Sequence, residues 1–351
     1  MLNETPALAP DGQPYRLLTL RNNAGMVVTL MDWGATLLSA RIPLSDGSVR
    51  EALLGCASPE CYQDQAAFLG ASIGRYANRI NQGKFTLDGT EYQLPQNNYG
   101  HCLHGGPQGF QYRVFDAVQP NPQELELTYV AEDGEEGFPG NLEVEMVYRL
   151  EEEENALVIE YRATTDKATV VNLTNHGFFN LAGISNPTPT IENNIVTINA
   201  NFYTPIDEVS IPTGEIAKVE GTPMDFRTPQ RVDSRINDPF EQLEFGAGYD
   251  HCYVLNKREA GTLSFAAKCV EPESGRSMEV YTTEPGVQVY TSNWHNGFEG
   301  AHGATFPARS AICFEAQHFP DTPNKGHFPS CVLHPGETYN QVTIYKFGVE
   351  K

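Results

Sequence analysis

Alternation of apolar and polar residues is the dominant pattern along this chain, and it predicts β-strands rather than helices. The pattern is clear over residues 124–130 and is repeated over 144–150. An acidic run follows at 151–154, and a further apolar stretch begins at 157 and extends to 164. We interpret the acidic run as the solvated turn of a hairpin between two strands.

Other segments with strand character are spread through the sequence, separated by glycine and proline. They are residues 26–31, 194–199, 262–270, 277–283, 286–291 and 341–347. Helical periodicity is weak and is confined to short segments near 59–69 and 238–244. Many short strands with few helices predict an all-β sandwich or barrel. Since no linker or repeat divides residues 1–351, we expect a single large domain.

Composition narrows the range of partners. The chain carries 45 acidic and 23 basic side chains, a net charge of -22, so a nucleic-acid partner is not expected. No apolar run approaches the ~20 residues of a membrane-spanning helix, and the first residues lack a secretory signal. The seven cysteines are scattered, without a C-x-x-C pair, which is typical of a reducing compartment. We therefore expect a cytoplasmic protein without a membrane partner.

A second pattern, polar groups crowded among aromatic rings, marks a candidate pocket at 172–181. Amide, hydroxyl and imidazole side chains are interspersed there with Phe178 and Phe179. A sugar site needs this mixture, because hydroxyls require hydrogen-bonding partners and ring carbons pack on flat apolar faces. His176 is the group of this segment that can exchange a proton near neutral pH. An ordinary buried histidine at a strand end is the alternative, and the segment alone leaves both open.

Four further stretches share the mixture, at 73–80, 101–110, 248–255 and 314–324. Asp250 and Glu315 lie in or at the end of apolar runs, where a carboxylate either has a structural partner or serves as a tuned base. Arg79 is either a ligand-binding residue or a surface arginine. Gly105 and Gly106 allow a close backbone approach or simply form a turn.

Three other chemistries are disfavoured by the residues themselves. His101, Cys102 and His104 are close in sequence, as are His251 and Cys252, but neither set has the spacing of a zinc site. The glycine-rich segment 134–140 is acidic and lacks lysine, so it predicts a turn rather than a phosphate loop. No G-x-S-x-G motif of a serine hydrolase is present. We expect no metal and no cofactor.

Taken together, the motifs resemble those of the aldose 1-epimerases, also called galactose mutarotases. The resemblance extends over nearly the whole chain and keeps the family's order: GRYANRI, LHGG, DGEEGFPGNL, NLTNHGFFNL, FYTPIDEVSIPTGEI, GYDH, PGVQVYTSN and FEAQHFPDTPN. It implies a large antiparallel β-sandwich of the galactose mutarotase type with few short helices. It also implies interconversion of the α and β anomers of free aldoses such as glucose and galactose, without a cofactor.

The resemblance also assigns residues. It implies that Glu315 is the general base and His176 the general acid, and that His104 assists near the ring oxygen. Residues implied to bind the sugar hydroxyls are Asn78, Arg79, Asp250 and Gln288. Phe178 departs from the family, which often has tyrosine after the motif histidine.

The assigned pair suits the chemistry, because ring opening removes a proton from the C1 hydroxyl and delivers one to the ring oxygen. We expect Glu315 to be ionised and His176 protonated when each turnover begins. Three other functions stay open: a hexose-6-phosphate 1-epimerase, a non-catalytic carbohydrate-binding or sugar-sensing protein, and a glycosidase using Asp250 with Glu315. The expected partner is a small sugar, and the protein is expected to be a monomer or homodimer.

Overall fold

The computed structural model describes residues 2–295 and 297–350, and antiparallel strands dominate this part of the chain. They form sheets of five, nine and five strands, together with five two-stranded pairs. The described residues include two short α-helices, α1 (Cys61–Asp64) and α2 (Glu241–Gly246), near the two positions predicted. Neither is long or apolar enough to cross a bilayer. The predicted fold class, all-β with few short helices, is confirmed.

The strands are short, with a few long ones in the nine-stranded sheet. In the first part of the chain they are β1 (Leu2–Leu8), β2 (Pro14–Arg21), β3 (Val27–Met31), β4 (Thr36–Pro43), β5 (Val49–Glu51), β6 (Ser72–Ile73), β7 (Arg79–Ile80), β8 (Lys84–Leu87), β9 (Thr90–Gln93) and β10 (Cys102–Leu103). In the middle they are β11 (Asp116–Asn121), β12 (Glu124–Ala131), β13 (Leu142–Leu150), β14 (Ala156–Thr165), β15 (Thr169–Val170), β16 (Thr174–Asn175), β17 (Ile195–Ile198), β18 (Phe202–Thr204), β19 (Ala217–Lys218) and β20 (Gln230–Arg231). In the last part they are β21 (Asp250–Val254), β22 (Ser264–Val270), β23 (Arg276–Thr282), β24 (Gly286–Tyr290), β25 (Phe298–Glu299), β26 (Thr305–Phe306), β27 (Cys313–Gln317), β28 (Val332–Leu333) and β29 (Tyr339–Val349).

The nine-stranded sheet contains the most regular strands, in the order β11-β12-β13-β14-β29-β23-β22-β17-β20. Its hairpin of β13 and β14 pairs Leu150 with Leu157 across the exposed acidic run, as the sequence predicted. The glycine-rich segment 134–140 forms a 3₁₀ turn at Glu135–Gly137, preceded by Gly134 at a φ of 86°. The turn predicted there is confirmed.

The second five-stranded sheet, ordered β19-β18-β21-β24-β27, positions the site. Successive residues along its strands point to opposite faces of the sheet. Tyr253, Val289 and Phe314 join a hydrophobic core that also contains residues of both other large sheets. Asp250 and Glu315 occupy the other face, which forms one wall of a cleft. The shared core supports our proposal that the chain is one domain.

Candidate active site

One cleft, of about 480 Å³, gathers most of the predicted site residues. Six of them line it: Asn78, Arg79, His104, His176, Asp250 and Glu315. Gln288 stands beside them, and its Nε2 donates a hydrogen bond to Asp250 Oδ1 at 2.8 Å. The cleft has the size of a small-molecule site.

Glu315 and His176 form the centre of the cleft. His176 Nε2 lies 3.3 Å from Glu315 Oε1, and the two side chains are only 7% and 2% exposed. Glu315 is held by β27, which pairs with β24 so that Glu315 lies opposite Gln288. His176 directly follows β16, and its N–H donates to the Ala71 carbonyl at 2.9 Å.

The amides around His176 fix its backbone. Asn175 Nδ2 donates to the Gly70 carbonyl at 3.0 Å and to the Tyr148 hydroxyl at 3.1 Å. Asn172 accepts the N–H of His318 through Oδ1 at 2.9 Å. The polar crowding at 172–181 therefore reflects anchoring of the segment as well as the presence of the cleft.

Burial opposes the charged form of both central groups. It raises the pKa of Glu315 well above its ordinary value; nearby Asp250 raises it further and Arg79 lowers it. Burial also lowers the pKa of His176 to about 3. Over the pH range between these two values the pair holds one proton. That proton lies on Glu315 when both groups are neutral, and on His176 in the charged arrangement expected from the sequence.

His104 is fixed in one tautomer by its backbone neighbour. The N–H of Asn78 donates to His104 Nδ1 at 3.0 Å, so the ring proton of a neutral His104 is on Nε2. Burial is the main cause that holds its pKa well below the usual range, followed by His176 and Arg79. Its ring meets that of His176 edge-on, with 5.2 Å between centroids. His104 therefore offers a neutral N–H donor beside the acid–base pair.

The same three side chains, His104, His176 and Glu315, bring potential metal ligands within 4.8 Å of one another. Metal-binding histidines normally donate their second ring N–H to an acceptor. His104 Nδ1 instead accepts the N–H of Asn78, so Nε2 keeps its proton and has no free lone pair for a metal. This donor set suits hydrogen bonding to oxygen better than metal coordination, and a metal-free site stays our prediction.

Arg79 and Asp250 provide the remaining polar wall. Arg79 Nε donates to Asn98 Oδ1 at 2.9 Å, which orients the guanidinium. Burial lowers the pKa of Arg79 and raises that of Asp250, and each charge counteracts the shift of the other. Paired acceptors and donors of this kind can hold the adjacent hydroxyls of a sugar.

Aromatic side chains outside the predicted set of site residues complete the lining of the cleft. They are Phe68, Tyr99, Tyr290, Trp294 and Phe298, together with the imidazole of His295. Tyr290 could have been found, since it lies two residues from Gln288 and so shares its face of β24. The segment 293–298 also mixes amides, imidazole and aromatic rings as the chosen stretches do.

Several residues of the motif stretches lie elsewhere. Arg75 is buried and donates to the carbonyls of Pro139 at 2.7 Å and Gly140 at 2.9 Å, so its charge supports the glycine-rich turn. His101 Nδ1 accepts the N–H of Gln82 at 2.8 Å, outside the cleft lining. His251 alternates with Asp250 on β21 and is fully buried. These residues do not assemble into a second polar site.

Comparison with known proteins agrees with this geometry. A family model described as aldose 1-epimerase matches residues 16–346. The chain is 49% identical over 352 residues to an aldose 1-epimerase of Escherichia coli (strain K12), covering 100% of both chains. It is 41% identical to galactose mutarotase of Homo sapiens, over 92% of this chain and 91% of that one.

Solved structures show the same relationship. A galactose 1-epimerase from Lactobacillus acidophilus NCFM is 30% identical and superposes with a TM-score of 0.85, covering 100% of this chain and 99% of that one. An aldose epimerase homologue from C. elegans, 28% identical, gives a TM-score of 0.87 over 96% of this chain and 100% of that one. The resemblance seen in the motifs is thus confirmed, and the chain belongs to the aldose 1-epimerase family.

Proposed function

We propose that this protein is an aldose 1-epimerase that interconverts the α and β anomers of free aldoses such as glucose and galactose. The observation that carries the proposal is the buried contact of His176 Nε2 with Glu315 Oε1, at 3.3 Å, inside a polar and aromatic cleft. A base and an acid this close can serve the adjacent O1 and ring oxygen of one pyranose.

The reaction needs two coupled proton transfers. Glu315 takes the proton of the C1 hydroxyl while His176 Nε2 gives one to the ring oxygen, and the bond between C1 and the ring oxygen breaks. Rotation about the C1–C2 bond turns the other face of the aldehyde toward the C5 hydroxyl. The reverse transfers then close the ring and return both residues to their starting states. Each transfer contributes roughly 10²–10⁴ in rate.

The charged starting arrangement has to be stabilised by the substrate. A C1 hydroxyl that donates to Glu315 and a ring oxygen that accepts from His176 both favour it, and the Arg79 charge lowers the pKa of Glu315. His104 Nε2–H supplies a neutral donor near the ring oxygen. Arg79, Asn78, Asp250 and Gln288 are proposed to hold the other hydroxyls.

A hexose-6-phosphate epimerase is less well supported. Among the described residues that line the cleft, Arg79 is the only lysine or arginine. The carboxyl groups of Asp250 and Glu315 line the same cleft. A phosphate group normally requires several cationic or N–H donors. We also propose a cytoplasmic location, supported by seven cysteines that are free thiols in the structure.

Polarimetry tests the proposal. Purified protein added to fresh α-D-glucose or α-D-galactose should speed the approach to the equilibrium rotation. Exhaustive dialysis against EDTA should leave the rate unchanged, because the proposed steps use side chains only. A binding protein would give no acceleration, and a glycosidase would act on methyl glycosides but not on the free sugars. Loss on chelation with recovery on adding zinc would reject the metal-free mechanism.

A further inference from the structure

A second imidazole, that of His295, lines the cleft without a role in the proton transfers. It is 8% exposed. Its Nδ1 lies 2.7 Å from the hydroxyl oxygen of Ser292, a residue that is fully buried. Its Nε2 is shielded from solvent and finds no hydrogen-bond partner among the described residues. Buried ring nitrogens are normally paired, so an unpaired one beside a ligand cleft indicates a missing ligand group.

The hydrogen bond with Ser292 shows what that group must be. Burial lowers the pKa of His295 to about 4, so the ring is neutral near pH 7 and has one donor and one acceptor nitrogen. When Nδ1–H donates to Ser292 Oγ, Nε2 is an acceptor; when the Ser292 hydroxyl donates, Nε2–H is a donor. A hydroxyl group satisfies either state, because it can both donate and accept.

The position of His295 relative to the reacting centre follows from ring stacking. The ring of Phe178 stacks on His176, with centroids 4.8 Å apart and planes inclined by 15°. His295 also stacks on Phe178, with ring centroids 5.1 Å apart and planes inclined by 27°. One phenyl ring therefore separates the two imidazoles. Gln288 belongs instead to β24, the strand that pairs with β27 beside Glu315, and Asp250 belongs to β21, on the other side of β24.

In a hexopyranose the ring oxygen is flanked by C1 on one side and by C5, which carries the hydroxymethyl group, on the other. A sugar with its C1 hydroxyl at Glu315 and its ring oxygen at His176 therefore directs C6 past His176, away from Glu315. The ring of His295, which carries the unpaired nitrogen, lies on the far side of Phe178 from His176. The C6 hydroxyl is the substrate group placed to reach it.

We propose that His295 Nε2 binds the exocyclic C6 hydroxyl of an aldohexose and thereby makes the enzyme prefer hexoses to pentoses and 6-deoxy sugars. This inference rests on the proposed epimerase function and adds a specificity-determining residue to it. Losing the hydroxyl leaves the buried nitrogen unpaired again, which disfavours the shorter sugar.

The inference is tested by a double-change cycle, in which a substitution at His295 is combined with removal of the C6 hydroxyl from the substrate. Phenylalanine in place of His295 keeps an aromatic ring on Phe178 but removes both nitrogens. The kcat/KM of wild type and His295→Phe is measured by polarimetry with α-D-glucose, 6-deoxy-D-glucose and α-D-xylose, which is glucose without the hydroxymethyl group. The ratio of glucose to 6-deoxyglucose should fall about tenfold in the variant, and the two deletions should be non-additive.

Two further variants sharpen the result. His295→Gln can still form a hydrogen bond and should restore part of the ratio, which a purely structural ring would not require. His334→Phe makes the same exchange at an exposed histidine, with a side chain 52% exposed, and should leave the ratio at its wild-type value. If His295→Phe does not fold, a wild-type glucose to 6-deoxyglucose ratio near one is sufficient to overturn the inference.

Equal slowing on all three sugars would assign His295 to packing and overturn its role in specificity, while the epimerase function stands. A wild type that accelerates no aldose would reject the epimerase function itself, and the role of His295 with it.

Discussion

Desolvation determines the chemical character of Glu315 and His176, because it moves their pKa values in opposite directions. The pair then carries one proton between a lower pH, where His176 gains a second proton, and a higher pH, where Glu315 loses the last. The two limbs of the pH–rate profile are therefore assigned the other way round from the assignment that ordinary pKa values give. With ordinary values, the fall in rate at acid pH belongs to the glutamate and the fall at alkaline pH belongs to the histidine.

The pH dependence of kcat/KM checks this assignment. We expect a bell whose acid limb lies near pH 3, set by His176, and whose alkaline limb lies well above the ordinary range of a glutamate. Glu315→Gln should lower kcat/KM by ~10²-fold or more and remove the alkaline limb, because the amide cannot titrate. Circular dichroism provides the folding control. An acid limb near the ordinary histidine value of ~6.5, or a folded Glu315→Gln enzyme with most of its activity, would contradict the mechanism.

Asp250 and Arg79 allow a matched test at the same scale. Asp250 raises the pKa of Glu315 and Arg79 lowers it. Asp250→Asn should therefore move the alkaline limb to lower pH, and Arg79→Gln should move it to higher pH. Both should raise KM, since each removes a charged partner of a sugar hydroxyl. Polarimetric rates against pH for the two variants check the prediction, and shifts in the same direction would contradict it.

Individual residues also show the limit of sequence reasoning. Glu315 and Asp250 could be selected because a carboxylate stood out against an apolar run, and His176 because it is the titratable group in a segment of mixed polar and aromatic residues. His295 was not, because a histidine in a loop gives no sign that its Nε2 is buried and unpaired. The tautomer of His104 was equally hidden, since it depends on the backbone N–H of Asn78, 26 residues away in the sequence.

Among the secondary-structure elements, long alternating segments were predicted well and short ones were not. Strands β12 and β13 appear where period-two patterns predicted them, and β14 and β29 appear where apolar, strand-like segments predicted them. All four strands pack residues on the core. Pairs such as β7 with β10, each of two residues, have no periodicity to detect. Yet β7 begins at Arg79 and β10 is followed by His104, so much of the site stands on elements that sequence patterns do not reveal.

The turn after His104 provides a prediction about stability. A Cβ at Gly105, whose φ is 84°, would lie 2.0 Å from the Gly74 carbonyl oxygen. At Gly89, with a φ of 79°, a Cβ would meet nothing within 4 Å. Both changes to alanine carry the cost of a positive φ, but Gly105→Ala also forces two backbone segments apart.

We expect Gly105→Ala to lower the free energy of unfolding by ~1–3 kcal/mol more than Gly89→Ala, and to reduce kcat by displacing His104. Urea unfolding monitored by circular dichroism, with polarimetry at low denaturant, provides the comparison. Equal unfolding midpoints for the two variants would mean that the turn accommodates the methyl group.

For the molecule as a whole, the net charge of -22 produces a field that repels anions. Free aldoses carry no charge and are unaffected by it. Hexose 6-phosphates carry negative charge into a cleft that already holds two carboxyl groups, those of Asp250 and of the buried Glu315.

We therefore expect kcat/KM for D-glucose to exceed that for glucose 6-phosphate by at least tenfold, a barrier difference of about 1.4 kcal/mol. Added salt should raise the phosphate's value by screening and leave that of glucose unchanged. Polarimetry of both sugars over a range of ionic strength makes the measurement. A higher kcat/KM for the phosphate would move the protein to the hexose-6-phosphate epimerases.

The ladder formed by β21, β24 and β27 has a consequence for folding. Asp250, Gln288 and Glu315 lie on three paired strands of one sheet, but long stretches of sequence separate these strands. No tight hairpin therefore sets their register. Loops of this length close slowly, so pairings of high contact order form after local hairpins such as β13–β14. During refolding, catalytic competence should therefore return later than the bulk of the β-structure.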